Sequence, residues 1–139
     1  MWTRTFSTTT NEITKEQIWK LFADVNHWHT WDEGTEYAII SGKFEQGNFF
    51  VLKPKGGPEV KVTLIKTIEN RMFLDLTQFP LAKMYDEHLF EDTPEGLKIT
   101  NTITVKGVLG FLWVRLVAKN IVHSWPEDVA NQIRSAKKL

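Results

Sequence analysis

From Trp2 to Thr10 the chain alternates, with Trp2, Phe6 and Thr8 on one face of a two-residue period, and its Thr and aromatic content favours a strand. At Thr10-Asn11 that period ends. Thr14-Lys15-Glu16-Gln17 has the form of a capping box, in which the Thr14 hydroxyl accepts from the Gln17 amide and the Gln17 side chain reaches back to Thr14. Ile18, Trp19, Leu21, Phe22 and Val25 then recur at helical spacing, predicting an amphipathic helix of about three turns. Ile13 and Ile18 are positioned to staple its start. Trp28 and Trp31, three apart, share a face of a further short helical segment.

From Thr35 the texture becomes alternating and β-branched. It is broken at Ser41-Gly42, Gln46-Gly47, Pro54-Lys55-Gly56-Gly57-Pro58, Asn70-Arg71, Phe79-Pro80 and Thr93-Pro94-Glu95-Gly96. The breaks delimit strands near Glu36 to Ser41, Asn48 to Lys53, Val60 to Ile68, Met72 to Gln78, Lys83 to Glu91 and Leu97 to Lys106. Their short connections predict an antiparallel meander.

Between Val108 and Lys138 the helical period returns: Phe111, Val114, Ala118, Ile121, Val122, Trp125, Val129, Ile133 and Ala136 share one face. Pro126 lies inside this stripe and removes a backbone hydrogen bond, so a kink or break is expected near Val122 to Trp125. The inner face of the sheet and this helix are the two large apolar surfaces available. They predict an α+β fold with a strongly curved seven-stranded antiparallel sheet wrapped around the long C-terminal helix, and two short helices between the first two strands.

A chain of 139 residues is the size of one domain, spanning 1–139. Lys plus Arg equals Asp plus Glu at 17 each, so no nucleic-acid footprint or polybasic anchor is indicated. The absence of cysteine removes disulfides, thiol nucleophiles and thiolate metal sites. The N-terminus lacks the pattern of a signal peptide, and no apolar run is long enough to span a membrane, so a cytoplasmic protein is expected. Six tryptophans and nine phenylalanines must fill a core, line a cavity or mark a contact surface.

Three groups of residues carry candidate chemistry. His27 and His29 flank Trp28, but residues two apart on a helix point about 200° apart around the axis, so a shared metal ion with Asp32 is disfavoured. The Trp28 and Trp31 segment reads instead as an aromatic plug, either core or cavity wall. On the strands, polar residues interrupt apolar faces: Asn101 within Leu97, Ile99, Ile103 and Val105; Asp86 and His88 between Met84 and Phe90; Gln78 after Met72, Leu74 and Leu76. With these faces inward, Asn101, His88, Asp86, Gln78 and Arg115 form a polar cluster in an apolar chamber. The bland alternative is a structural His88–Asp86 pair satisfied near a sheet edge. Lys53, Lys55, Lys61 and Lys66 read as a solvated face, and no serine sits in a nucleophile motif.

The segment Ile18 to Asp32, with a Trp in the first helix followed by D-V-N-H-W-H-T-W-D, resembles the signature of the polyketide cyclase/dehydrase and lipid-transport superfamily, also called START-like or SRPBCC. Gly42 and Gly47 around the first hairpin agree with it, as do Tyr85-Asp86-Glu87-His88-Leu89-Phe90-Glu91 and Gly96-Leu97-Lys98-Ile99-Thr100, where Leu97 replaces the usual Thr. The resemblance spans nearly the whole chain. It implies a helix-grip fold with a ligand-sized cavity between sheet and C-terminal helix. No cofactor is expected.

The leading expectation is a binding protein for a small hydrophobic or aromatic molecule such as a lipid, quinone or polyketide-like metabolite. The expected wall comprises Trp28 and Trp31 from the plug and Ala118, Val122 and Trp125 from the last helix. From the strands it takes Phe49, Val51, Leu64, Leu74, Leu76, Met84, Phe90 and Ile103. Asn101, His88 and Arg115 would orient the ligand. Alternatives are a cyclase or dehydratase in which His88 and Asp86 act as base and orienter with Asn101 or Tyr85 on an enolate oxygen, and a co-chaperone or other interaction module using the outer sheet face or the Trp113 and Leu116 side of the last helix. A cavity of roughly 300 Å³ or more with a mouth separates ligand handling from interaction.

Overall fold

The computed structural model describes residues 1–139. Strand β1 (Trp2–Thr10) leads into helix α1 (Lys15–Ala23) and a 3-10 segment (Val25–Thr30). Six strands follow: β2 (Thr35–Ile40), β3 (Phe49–Pro54), β4 (Val60–Ile68), β5 (Met72–Phe79), β6 (Ala82–Thr93) and β7 (Gly96–Lys106). A short helix α2 (Gly110–Trp113), a π turn (Val114–Ala118) and helix α3 (Lys119–Ala136) complete the chain. The seven strands form one sheet in the order β1-β7-β6-β5-β4-β3-β2, because the meander returns to pair β7 with β1. This is the α+β helix-grip arrangement: one antiparallel sheet, a long C-terminal helix and two short helices between the first two strands.

Helix α1 starts where its capping box dictates. The Gln17 amide donates to Thr14 Oγ1 at 3.2 Å, and the Thr14 amide donates to Gln17 Oε1 at 2.8 Å. Ile13 and Ile18 are both buried in the same cluster. In the 3-10 segment Trp28 turns inward and donates its indole N–H to the Phe22 carbonyl at 2.9 Å, satisfying the one polar atom of a buried ring.

The last helix departs from expectation in two ways. The helix continues without a break across Pro126, although that residue has no N–H to donate; the irregularity in its hydrogen bonding lies earlier, in the π turn. A π turn inserts a residue and rotates what precedes it around the axis. Phe111, expected on the buried stripe, is accordingly 73% exposed, while Val114, Ala118, Trp125, Val129 and Ala136 stay buried. Trp113 stacks on Phe79 with ring centroids 4.4 Å apart and donates to the Pro80 carbonyl, tying α2 to the β5–β6 turn.

The core divides into two clusters. The larger joins α1 and the 3-10 segment to Phe50, Val62, Leu64, Phe73, Phe90 and the C-terminal part of α3. The smaller gathers Met84, Ile103, Val105, Val114, Ala118 and Trp125. Residues of both clusters border a single hollow, and that hollow holds the polar side chains of the inner face. No helix is long and apolar enough to cross a membrane.

Candidate functional site

The hollow lies between the sheet and α3 and measures about 240 Å³. Strands β5, β6 and β7 supply its polar floor. On β6 the two-residue period turns Met84, Asp86 and His88 inward together, and antiparallel pairing places Asn101 of β7 beside His88. The β5–β6 connection is only Pro80-Leu81, with Leu81 in the left-handed region at φ 57°, and it sets Asp75 directly opposite Asp86. Phe73 and Thr77 therefore flank Asp75 on the same face.

His88 Nε2 lies 3.3 Å from Asp86 Oδ2, and the two side chains are 12% and 18% exposed. The imidazole stacks on Phe73, centroids 4.4 Å apart, and packs against Phe22 at 5.2 Å. Burial works against the charged ring, but the Asp86 carboxylate, by charge and hydrogen bond, then Asp75 by charge and the Asn101 side chain by its polar contact outweigh it and hold the His88 pKa above its ordinary value. Asp75 is pushed well above the usual carboxylate range, first by burial and then by repulsion from Asp86, with His88 opposing. Asp86 Oδ1 has no hydrogen-bond partner, and His88 Nδ1 and Asn101 Oδ1, on directly paired residues, come close enough for Asn101 to favour the charged ring but make no well-formed bond. Such groups cost free energy unless something else satisfies them.

Aromatic rings make the walls. Phe22, Trp28, Trp31, Phe50, Phe73 and Trp125 all border the hollow. Phe22 organises several of them, with edge contacts to Trp28 at 6.2 Å, Trp31 at 6.0 Å and Phe73 at 5.2 Å. Asp32, Asp128 and Gln132 also border the hollow. Asp128 accepts from Ser124 Oγ at 2.7 Å, yet partial burial and the nearby Asp32 and Glu127 charges raise its pKa.

The expected wall is corrected at many positions. Trp28, Trp31, Met84, His88, Asn101 and Trp125 border the hollow, with Asp86. Phe49 does not: it is 46% exposed, with Lys61 Nζ over its ring at 4.5 Å, and Val51 shares its outward face. Phe50 and Leu52 point inward instead, because Phe50 pairs with buried Val62. Leu74 and Leu76 likewise point away, since β5 turns Phe73, Asp75 and Thr77 inward, and Gln78 is exposed. Leu64, Phe90, Ile103 and Ala118 are packed core, and Val122 packs beside the smaller cluster while Ile121 reaches the hollow. Arg115 is exposed on the π turn. Tyr85 takes the opposite face of β6 from His88, where Lys106 Nζ sits over its ring at 5.4 Å, so it cannot act on a ligand in the hollow.

His27 and His29 are both exposed, and His27 Nδ1 bonds Asp24 Oδ1 at 2.8 Å. The side chains that could hold a metal ion are Asp75, Asp86 and His88, whose ligand atoms all lie within 4.8 Å of one another. Sequence reasoning missed Phe22, Phe50, Phe73, Asp128 and Gln132 among the lining residues, and on the polar floor it missed Asp75. The two-residue turn after Phe79 was the available signal, because it fixes which β5 residue faces Asp86.

Comparison with solved structures agrees with this architecture. Protein MLL2253 from Mesorhizobium loti superposes with a TM-score of 0.72 at 13% identity, covering 96% of this chain and 95% of that one. A hypothetical protein from Helicobacter pylori gives 0.77 at 9% identity, over 97% and 88% of the two chains. The di-domain ARO/CYC StfQ from the steffimycin biosynthetic pathway gives 0.73 at 13%, over 98% of this chain and 49% of its own. The chain has the helix-grip fold. The likeness drawn from the motifs thus holds at the level of the fold, and at these identities it extends no further. No family model and no curated protein matches the chain.

Proposed function

We propose that the protein binds a small aromatic molecule in the hollow between sheet and α3. The observation that carries this reading is the combination of aromatic walls with a buried polar floor whose Asp86, His88 and Asn101 atoms lack partners. Interiors normally satisfy such atoms, and a ligand group can do so here. The volume of about 240 Å³ falls short of the roughly 300 Å³ at which drug-sized pockets begin, but exceeds the roughly 150 Å³ of a dry engineered cavity that takes benzene. One or two fused rings suit it; an extended lipid chain does not.

Trp28, Trp31 and Trp125 border the space, so occupancy is readable from their fluorescence. Titration with 4-nitroaniline and 1-nitronaphthalene, ring compounds that do not themselves emit in this range, should quench it saturably, while palmitate should not. Flat titrations with both ring compounds would sink the proposal.

A second reading, acid–base chemistry on the bound molecule, is favoured by the His88–Asp86 contact at 3.3 Å. A carboxylate orients the imidazole and stabilises its charged form, which suits proton transfer next to a ligand carbonyl. The test is α-proton exchange of phenylacetone in deuterium oxide followed by NMR. Exchange at the buffer rate, or exchange that persists in His88→Gln, removes His88 from any such role.

A further inference from the structure

The titratable side chains lining the hollow are acidic with one exception. Asp32, Asp75, Asp86 and Asp128 all border it, and no Lys or Arg does. His88 beside Asp86 is the sole basic side chain on its surface. Arg115, the cation expected to face inward, points to solvent. Asn101, only 1% exposed, turns an unpartnered Oδ1 on the same wall, and Asp86 Oδ1 and Gln132 Oε1 are also unpartnered. These are acceptors awaiting donors.

Three ligand classes meet this lining differently. An anion would sit among carboxylates in a partly desolvated space, where like-charge repulsion is least screened. A neutral hydrocarbon would leave the buried acceptors unsatisfied. An ammonium supplies positive charge and up to three donors, and charge-assisted hydrogen bonds are about twice as strong as neutral ones. Ring faces such as those of Trp28, Trp31 and Trp125 attract cations further.

We propose that the ligand is a small aromatic amine, its ammonium held by Asp75, Asp86 and the Asn101 carbonyl oxygen and its ring held between the Trp and Phe walls. This rests on reading the hollow as a ligand site and adds the charge class of what enters. The raised pKa of Asp75 fits it, since burial and Asp86 together outweigh the one opposing charge, that of His88, and leave room for a second cation.

The experiment is isothermal titration calorimetry of the full chain with three matched probes: phenethylamine, 2-phenylethanol and 3-phenylpropionate, all with EDTA present. Phenethylamine should bind at least about tenfold more tightly than the alcohol, and the carboxylate should give no heat. In Asp86→Asn, and independently in Asp75→Asn, the ratio of amine to alcohol affinity should fall toward one. Equal affinity for amine and alcohol in the wild-type chain overturns the charge class yet leaves the ligand site standing. Heat from none of the three overturns both. A separate titration with ZnCl₂ in place of EDTA covers the competing cation: zinc binding that is lost in Asp75→Asn and is indifferent to phenethylamine, with no amine binding, replaces the amine by a metal ion and overturns the proposal.

Discussion

His88 Nε2 stands 3.3 Å from Asp86 Oδ2 on the inner face of β6, and Asp75 of β5 faces the same Asp86 across the sheet. Two carboxylates and one imidazole thus share a buried space, and like charges directly opposite on paired strands oppose each other. The protonation of this trio couples stability to pH.

Asp75→Asn tests the buried like charge. A carboxyl whose folded pKa is raised favours the folded state most below its unfolded value of about 3.9, and that contribution is lost as pH rises through the folded value. The isosteric amide removes the cost of ionisation. The variant should melt near the wild type at pH 4 and above it at pH 7.5, at roughly 2–4 °C per kcal/mol. A melting temperature lower than wild type at pH 7.5 would contradict the account.

The imidazole gives a second test of the same sign. With its folded pKa raised, His88 contributes stability that is fully present below about pH 6.5 and is lost as pH climbs through the folded value. NMR titration of the His88 ring should show a midpoint above 6.5 in the wild-type chain. In Asp86→Asn the strongest opposing charge is gone, burial prevails, and the midpoint should drop below 6.5. A midpoint unmoved by that substitution would show that Asp86 does not govern the ring.

Asn101→Leu separates function from stability. The Asn101 side chain is buried with Oδ1 unpartnered, so an apolar replacement of similar size removes a desolvation cost of about 1–3 kcal/mol. Chemical denaturation should find the variant at least as stable as the wild type. Ligand quenching of tryptophan fluorescence should weaken or change its selectivity. Unfolding at markedly lower denaturant would mean that Asn101 makes a structural bond.

The register of β3 predicts opposite outcomes for adjacent residues. Phe50 is 1% exposed and Phe49 is 46% exposed. Phe50→Ala should cost about 3–5 kcal/mol by cavity formation, whereas Phe49→Ala should stay within about 1 kcal/mol. Comparable losses from both, measured by denaturant midpoints, would place the strand in the wrong register.

Much of the fold is legible along the chain because it depends on neighbours a few residues apart. The capping box at Thr14 and the helical spacing after it, the turn residues between strands, and the interruption of apolar faces by Asp86, His88 and Asn101 all belong to this class. Where a strand is apolar on one face only, its period also decides which side is inward, as β6 and β7 demonstrate.

The sequence by itself therefore determined the elements, their order, the helix-grip arrangement and the polar pair on β6. Tertiary structure alone decided the inward faces of β3 and β5. Phe49-Phe50-Val51-Leu52 is apolar at every position and Met72 to Leu76 nearly so, leaving a two-residue period nothing to distinguish. Pairing to Val62 and to Asp86 made the choice, and with it brought Asp75 into the site. The π turn that swung Phe111 and Arg115 outward and the volume left between sheet and helix arise the same way, from how whole elements meet in space.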